Sequence, residues 1–168
     1  MKLTELLLDE LEKESELSRR ALELVPAGKA DWKPHEKSMI FGYLADMIAN
    51  IPSWVAMIVT QPELDVAPVG GPQQKREPMN DSAAFLGALD KSMTGARKAL
   101  RETTDQHLMT GWRLLAGGKV VIEASRYIMI RDTINHWVHH RGQMTVYLRL
   151  MGAKVPALYG PSADDQRF

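Results

Sequence analysis

Apolar residues recur at helical spacing along most of this chain, and the polar breaks between them mark out four long segments. Over residues 2–25, Leu3, Leu7, Leu11, Leu17, Ala21 and Leu24 follow a period of about 3.6 residues, with a polar gap midway. Thr4 and Glu5 start this helix, and Glu10, Glu12, Lys13, Glu14 and Arg19 are expected to coat its other side. Pro26, Gly28 and Pro34 then break the chain. Within that break, Trp32 is expected to cover the core, and His35 to lie on the surface or to fix the loop. A second helix is predicted over residues 38–60, with Ser38 as its N-cap and Ile40, Leu44, Met47, Ile48, Ile51, Val55 and Ile58 as its inward stripe. Pro52 falls inside it. It lacks an amide donor and frees the carbonyl of Ile48, which predicts a kink about one turn beyond Met47.

Residues 61–80 hold Pro62, Pro68, Gly70, Gly71, Pro72 and Pro78, and are expected to form a loop that serves as a partial lid or is simply mobile. Asn80, Asp81 and Ser82 compete to cap a third helix reaching Arg101, buried along Phe85, Leu86, Leu89, Met93, Ala96 and Leu100. In residues 102–119 the run W-R-L-L-A-G-G, followed by V-V-I, predicts a small hairpin or irregular crossover. No proline interrupts residues 119–155, and a last helix is expected from Glu123 or Ala124 to Met151, with Gly152 at its C-cap. The tail, residues 153–168, is irregular. The economical reading is one all-α domain over residues 1–168, a four-helix bundle with a long second-to-third loop and a short crossover before the last helix.

Composition narrows the function classes. The 168 residues carry 21 basic and 21 acidic side chains, so no net charge argues for nucleic acid or an anionic membrane as partner. No apolar run approaches the ~18 residues that span a bilayer. The first residues, M-K-L-T-E-L-L-L-D-E, meet acids too early for a signal peptide. A cytoplasmic protein is the expectation. There is no cysteine, so thiolate ligation, disulfides and cysteine nucleophiles are excluded.

The candidate chemistry sits on the last predicted helix, in D-T-I-N-H-W-V-H-H-R-G-Q-M-T-V-Y from Asp132 to Tyr147. At about 100° per residue, Asp132, His136, His140, Gln143 and Tyr147 share an arc of roughly 80°. Residues four apart are neighbours on a helix, so His136 and His140 can address one metal ion. Either they do so, or they are surface or hydrogen-bonded core histidines. His139 lies about 100° from His140 and should face solvent or an interface. Arg141 is expected to pair with an acid on a neighbouring helix, and Gly142 to permit close helix approach. Gln143 and Tyr147 are the candidate substrate-orienting residues. No nucleophilic serine motif, phosphate loop or basic stripe accompanies them.

H136-W-V-H-H-R-G-Q143, followed by Y147-L-R149 and Y159-G-P-S-A-D164, resembles the helical-bundle DinB/YfiT-like family. W32-K-P-H35, G42-Y-L-A-D-M-I-A49 and I51-P-S-W54 stand in that family's order, and the likeness runs over residues 1–165. It implies a homodimeric four-helix bundle that binds a divalent metal through three histidines. Two carry over to His136 and His140. At the third position, within L44-A-D-M-I-A49, this chain has Met47. A thioether is a poor ligand for zinc, nickel or manganese and suits Cu(I) better. Asp132, one turn before His136, is the other candidate ligand, or else a carboxylate that holds an imidazole in place. The resemblance further implies a small-molecule substrate and metal-dependent transferase or hydrolase activity, with S-transferase or isomerase chemistry on a low-molecular-weight thiol as the specific form. The contrasting reading, motivated by Met47, is a dimeric bundle whose metal site has decayed and which acts as a binding or stress-related protein.

Overall fold

The proline at position 52 divides what the sequence presents as one helix. The computed structural model describes residues 2–71 and 79–167, and among them six helices and three strands. These are α1 (Leu3–Glu23), α2 (Phe41–Asn50), α3 (Pro52–Thr60), β1 (Glu63–Asp65), α4 (Ser82–Glu102), α5 (Asp105–Leu108), β2 (Gly111–Ala116), β3 (Lys119–Ser125) and α6 (Arg126–Leu150). The structure is mostly helical, but β1, β2 and β3 form a three-stranded sheet, so the all-α class does not hold. Residues 72–78 of the predicted 61–80 loop lie outside the described residues.

At the break, α2 and α3 meet at 46°. Proline has no N–H to offer the Ile48 carbonyl, and the Trp137 indole supplies the missing donor from α6 at 2.7 Å. Both Ile48 and Trp137 are fully buried, so the bond forms where water cannot substitute. The expected kink is therefore present, and its orphaned acceptor is used to join two helices. No single helix among the described residues is long and apolar enough to cross a membrane; α2 and α3 pass that test only as the bent pair.

Around this junction α1, α4 and α6 close a single core of Leu11, Leu22, Leu44, Leu89, Ile130 and Trp137. The start of α2 corrects the expected Ser38 cap. Its first amides are taken by backbone carbonyls of the preceding connection, Phe41 N to Trp32 O at 2.8 Å and Gly42 N to Ala30 O at 2.7 Å, so the helix begins at Phe41 without a side-chain cap. Ile40, counted in the inward stripe, is 39% exposed for the same reason. Trp32 packs edge-on to Tyr147, and His35 accepts the Lys37 amide, both within the expected roles. Asp81 is the cap of α4, accepting Ala84 N at 2.8 Å.

The hairpin turns at Gly117–Gly118, whose φ of 60° and 77° suit a two-residue turn that side chains with a Cβ rarely adopt. Asp65 holds that turn from β1: its carboxylate accepts the amides of Ala67, Gly117 and Gly118, and these bonds lower its pKa. This explains β1, which pairs parallel to β2 with Glu63 opposite Arg113 and which the loop expectation for residues 61–80 missed. Strand β3 runs on to Ser125, so α6 begins at Arg126 rather than near Glu123, and Ser125 caps it by accepting Ile128 N. The buried Arg126 side chain then donates to the Ile58 carbonyl, and to that of Gln61 at 2.7 Å, tying the end of α3 to the start of α6.

Two charged residues fill the polar gap in α1. Glu14, placed by its pattern on the outer face, is 5% exposed and forms an ion pair with the fully buried Arg141 of α6. Arg141 also donates to the Glu14 carbonyl at 2.9 Å and Ser18 Oγ at 3.1 Å. Tyr159 of the tail completes the cluster, donating to Glu14 Oε2 at 2.7 Å and accepting from Arg141 at 2.6 Å. Although the Tyr159 ring is largely exposed, desolvation of its hydroxyl within this cluster, then its bond to Glu14, pushes that hydroxyl up to about 12. Farther along, Asp164 accepts from Arg149 and from Val155 N, and Asp165 accepts Ala157 N. The Y-G-P-S-A-D-D segment is thus a clasp that fastens an irregular tail to α6 and α1. Gly142, expected to allow close helix approach, faces open space: a Cβ there meets nothing within 4 Å.

Removing one partner of a buried ion pair strands the other charge, so Glu14→Ala should cost about 3–5 kcal/mol. Tyr159→Phe removes two bonds to charged groups but keeps the ring, and about 1–2 kcal/mol is expected. Urea denaturation midpoints of the two variants check both, and equal midpoints for wild type and Glu14→Ala would refute the role given to this pair.

Candidate functional site

Helix α6 carries every candidate of the Asp132–Tyr147 stretch, and its neighbours decide which of them meet. His136 and His140, one turn apart, bring their Nε2 atoms to 2.7 Å. The Gln143 side-chain oxygen lies 2.8 Å from His140 Nδ1 and accepts its proton. An imidazole that donates from Nδ1 presents a bare lone pair at Nε2, and that lone pair faces His136. His136, in turn, donates its Nε2–H into it. The pair is therefore a directed chain from His136 to His140 to Gln143.

Surroundings differ along this chain. His140 is 6% exposed, while His136 is half-buried, with the Trp54 ring 5.5 Å away on α3. Burial, followed by the neighbouring imidazoles of His140 and His139, holds the His136 pKa below its usual 6.5. His139 is exposed, as its helical angle implied. One turn beyond Gln143, the Tyr147 hydroxyl donates to the Met39 carbonyl at 3.1 Å, and its ring packs against Trp32 and Phe41. Tyr147 is thus joined to the entry of α2, apart from the imidazole pair.

Met47 lies half-buried on α2, among the hydrophobic side chains that border the core. Asp46 beside it accepts from the Asn50 side-chain amide. Asp132 is exposed and lies with His136 among the residues lining a half-open cavity of about 340 Å³ between α3, α6 and the sheet. Trp54 and Met57 line it from α3, Leu64 from β1, Trp112 and Leu114 from β2, and Met129 from α6. The Trp112 indole nitrogen is buried with no hydrogen-bond partner among the described residues. Sequence reasoning missed this cavity, because its floor is the sheet; the aromatic Trp54 two residues after Pro52 was its only local signal.

The structure thus brings His136, His140 and Gln143 together, sets Asp132 beside His136 at the cavity, and leaves Met47 and Tyr147 in packing roles. As a donor set it offers two converging imidazoles. Among the described residues no group of three His, Cys, Asp or Glu side chains is arranged to hold an ion.

Comparison with known proteins gives a family and a fold. The family model described as "DinB family" matches residues 2–167. A DinB-like protein from Bacillus cereus ATCC 10987 superposes with a TM-score of 0.69 at 22% identity, over 91% of this chain and 95% of that one. The DinB-like protein YjoA from Bacillus subtilis gives 0.67 at 17% identity, over 96% and 99%. The uncharacterized protein YrdA of Bacillus subtilis is 53% identical over 32 residues, and the match spans 19% of each chain.

The lowered pKa of His136 has a consequence for stability. The unfolded chain takes up a proton at the ordinary value of 6.5 before the folded chain does. The stabilisation is complete above that value and is lost as pH falls through the lower folded-state pKa. Melting temperatures of metal-free protein should therefore drop as pH falls below 6.5, and His136→Gln should flatten that slope. A slope unchanged by His136→Gln would disprove the assignment.

Proposed function

Because the chain belongs to the DinB family, we propose that it is a divalent-metal-dependent enzyme whose ion, zinc, nickel or manganese, is held by His136 and His140. The observation that carries this reading is the convergence of the two Nε2 atoms, with Gln143 fixing the His140 tautomer that leaves Nε2 free to ligate. The residues present fit an ion as a two-imidazole pair, leaving its remaining positions to solvent and substrate. In this reading α1, the broken α2–α3 unit, α4 and α6 act as a four-helix bundle with the site on its last helix. When bound, such an ion supplies the Lewis acidity that acidifies a low-molecular-weight thiol for a transferase or isomerase reaction. The protein's own part is positional: Gln143 orients His140, Trp54 walls the pair from one side, and the adjoining cavity excludes water from the second reactant.

A second reading has its own support. The two imidazoles already satisfy each other at 2.7 Å, and Met47 occupies the position where the family resemblance places a third histidine. That favours a bundle with a decayed site, acting as a binding or stress-related protein.

Elemental analysis of untagged protein purified without chelators separates the two. On the enzyme reading the protein carries near-stoichiometric metal, His140→Ala loses it, and Gln143→Leu weakens affinity by roughly tenfold or more. Metal-dependent conjugation of common thiols to a bimane-type electrophile should accompany it. Protein that stays empty with added zinc, nickel and manganese, yet gains tight binding in Met47→His, would establish the decayed site instead.

A further inference from the structure

We propose that the cavity beside His136 receives an uncharged aryl or branched-alkyl small molecule, and that it rejects carboxylates of the same shape. This rests on the reading that the protein's chemistry is centred on His136 and His140, and it names the class of the second reactant. Nine of the twelve residues that line the cavity are apolar, and they come from α3, from all three strands and from α6. At about 340 Å³ it lies at the small end of small-molecule sites, which run from roughly 300 to 1,000 Å³, so a single ring or short branched chain suits it and a peptide does not. The two indoles of Trp54 and Trp112 give it flat walls.

Charge decides the rest. No lysine or arginine is among the lining residues, so in the metal-free protein an anion that enters leaves water without a counter-charge. The polar lining comes from one helix: Asp132, Thr133 and His136. Thr133 spends its hydroxyl on the Met129 carbonyl at 2.9 Å. Asp132 has no hydrogen-bond or ion-pair partner among the described residues, so its carboxylate adds like-charge repulsion at the edge where an anionic group would have to rest. An uncharged body meets neither cost.

Phenethyl alcohol and phenylacetate share a ring and reach but differ in charge, and both can be titrated into isotope-labelled protein in the presence of chelator. The indole N–H resonances of the four tryptophans, assigned by Trp→Phe variants, report where they bind. Phenethyl alcohol is expected to shift Trp54 and Trp112, with phenylacetate at least about tenfold weaker. Asp132→Asn, a surface change, should narrow that gap severalfold, and Leu114→Trp should crowd the cavity and weaken the response to the alcohol. Phenylacetate binding as tightly as the alcohol, or shifts confined to Trp32 and Trp137, would overturn the proposal. His140→Ala separates this inference from the metal reading, because His140 does not line the cavity. Alcohol binding by His140→Ala, together with wild-type protein that stays empty when purified without chelators and supplied with metal, upholds the cavity and removes the metal reading. Stoichiometric metal with no alcohol response does the reverse.

Discussion

One absent hydrogen atom organises this molecule. Pro52 cannot donate to Ile48, and the free carbonyl must find a partner at a fully buried point of the core. Trp137 provides it, which fixes how α6 lies against α2. The 46° bend at the same point sends α3 away from the line of α2. Trp54 and Met57 are thereby carried to the cavity, and Trp54 to the ring of His136. A straight helix would have kept the amide bond and lost this geometry.

Much of this was legible in the chain because it is local. Apolar periodicity gave α1, α4 and α6 to within a few residues, the N-D-S run at Asn80–Ser82 announced its helix by its capping chemistry, and Gly117–Gly118 announced a turn. The consequence of Pro52 was readable down to the atom left unpaired. The identity of the atom's partner was not, since Trp137 is 89 residues away.

What stayed illegible depends on pairs distant in sequence. Glu14 looks like any solvated glutamate of an amphipathic helix until Arg141 arrives 127 residues later. The polar gap that Glu14 and Ser18 leave in the α1 stripe was the available sign. Strand β1 is three residues long and has no room for an alternating pattern, so its existence follows from β2 and from the turn that Asp65 grips. The histidine pair was visible as spacing, whereas its direction of hydrogen bonding came from Gln143, and the cavity beside it from a sheet that composition gave no reason to expect.

The pairing of β1 with β2 also has a bearing on time. The β2–β3 hairpin closes through a two-residue turn and can form from local contacts alone. Bringing Glu63 to Arg113 closes a loop of 50 residues, and the entropy of that closure must be met before the pairing returns anything. Assembly of the wall that Leu64 contributes therefore belongs to the late steps of folding. A chain with its helices already docked and β1 still detached would have the histidine pair formed and the adjoining cavity open along one side. The order in which this protein acquires its parts thus puts the imidazole pair first and the last wall of the adjoining cavity after it.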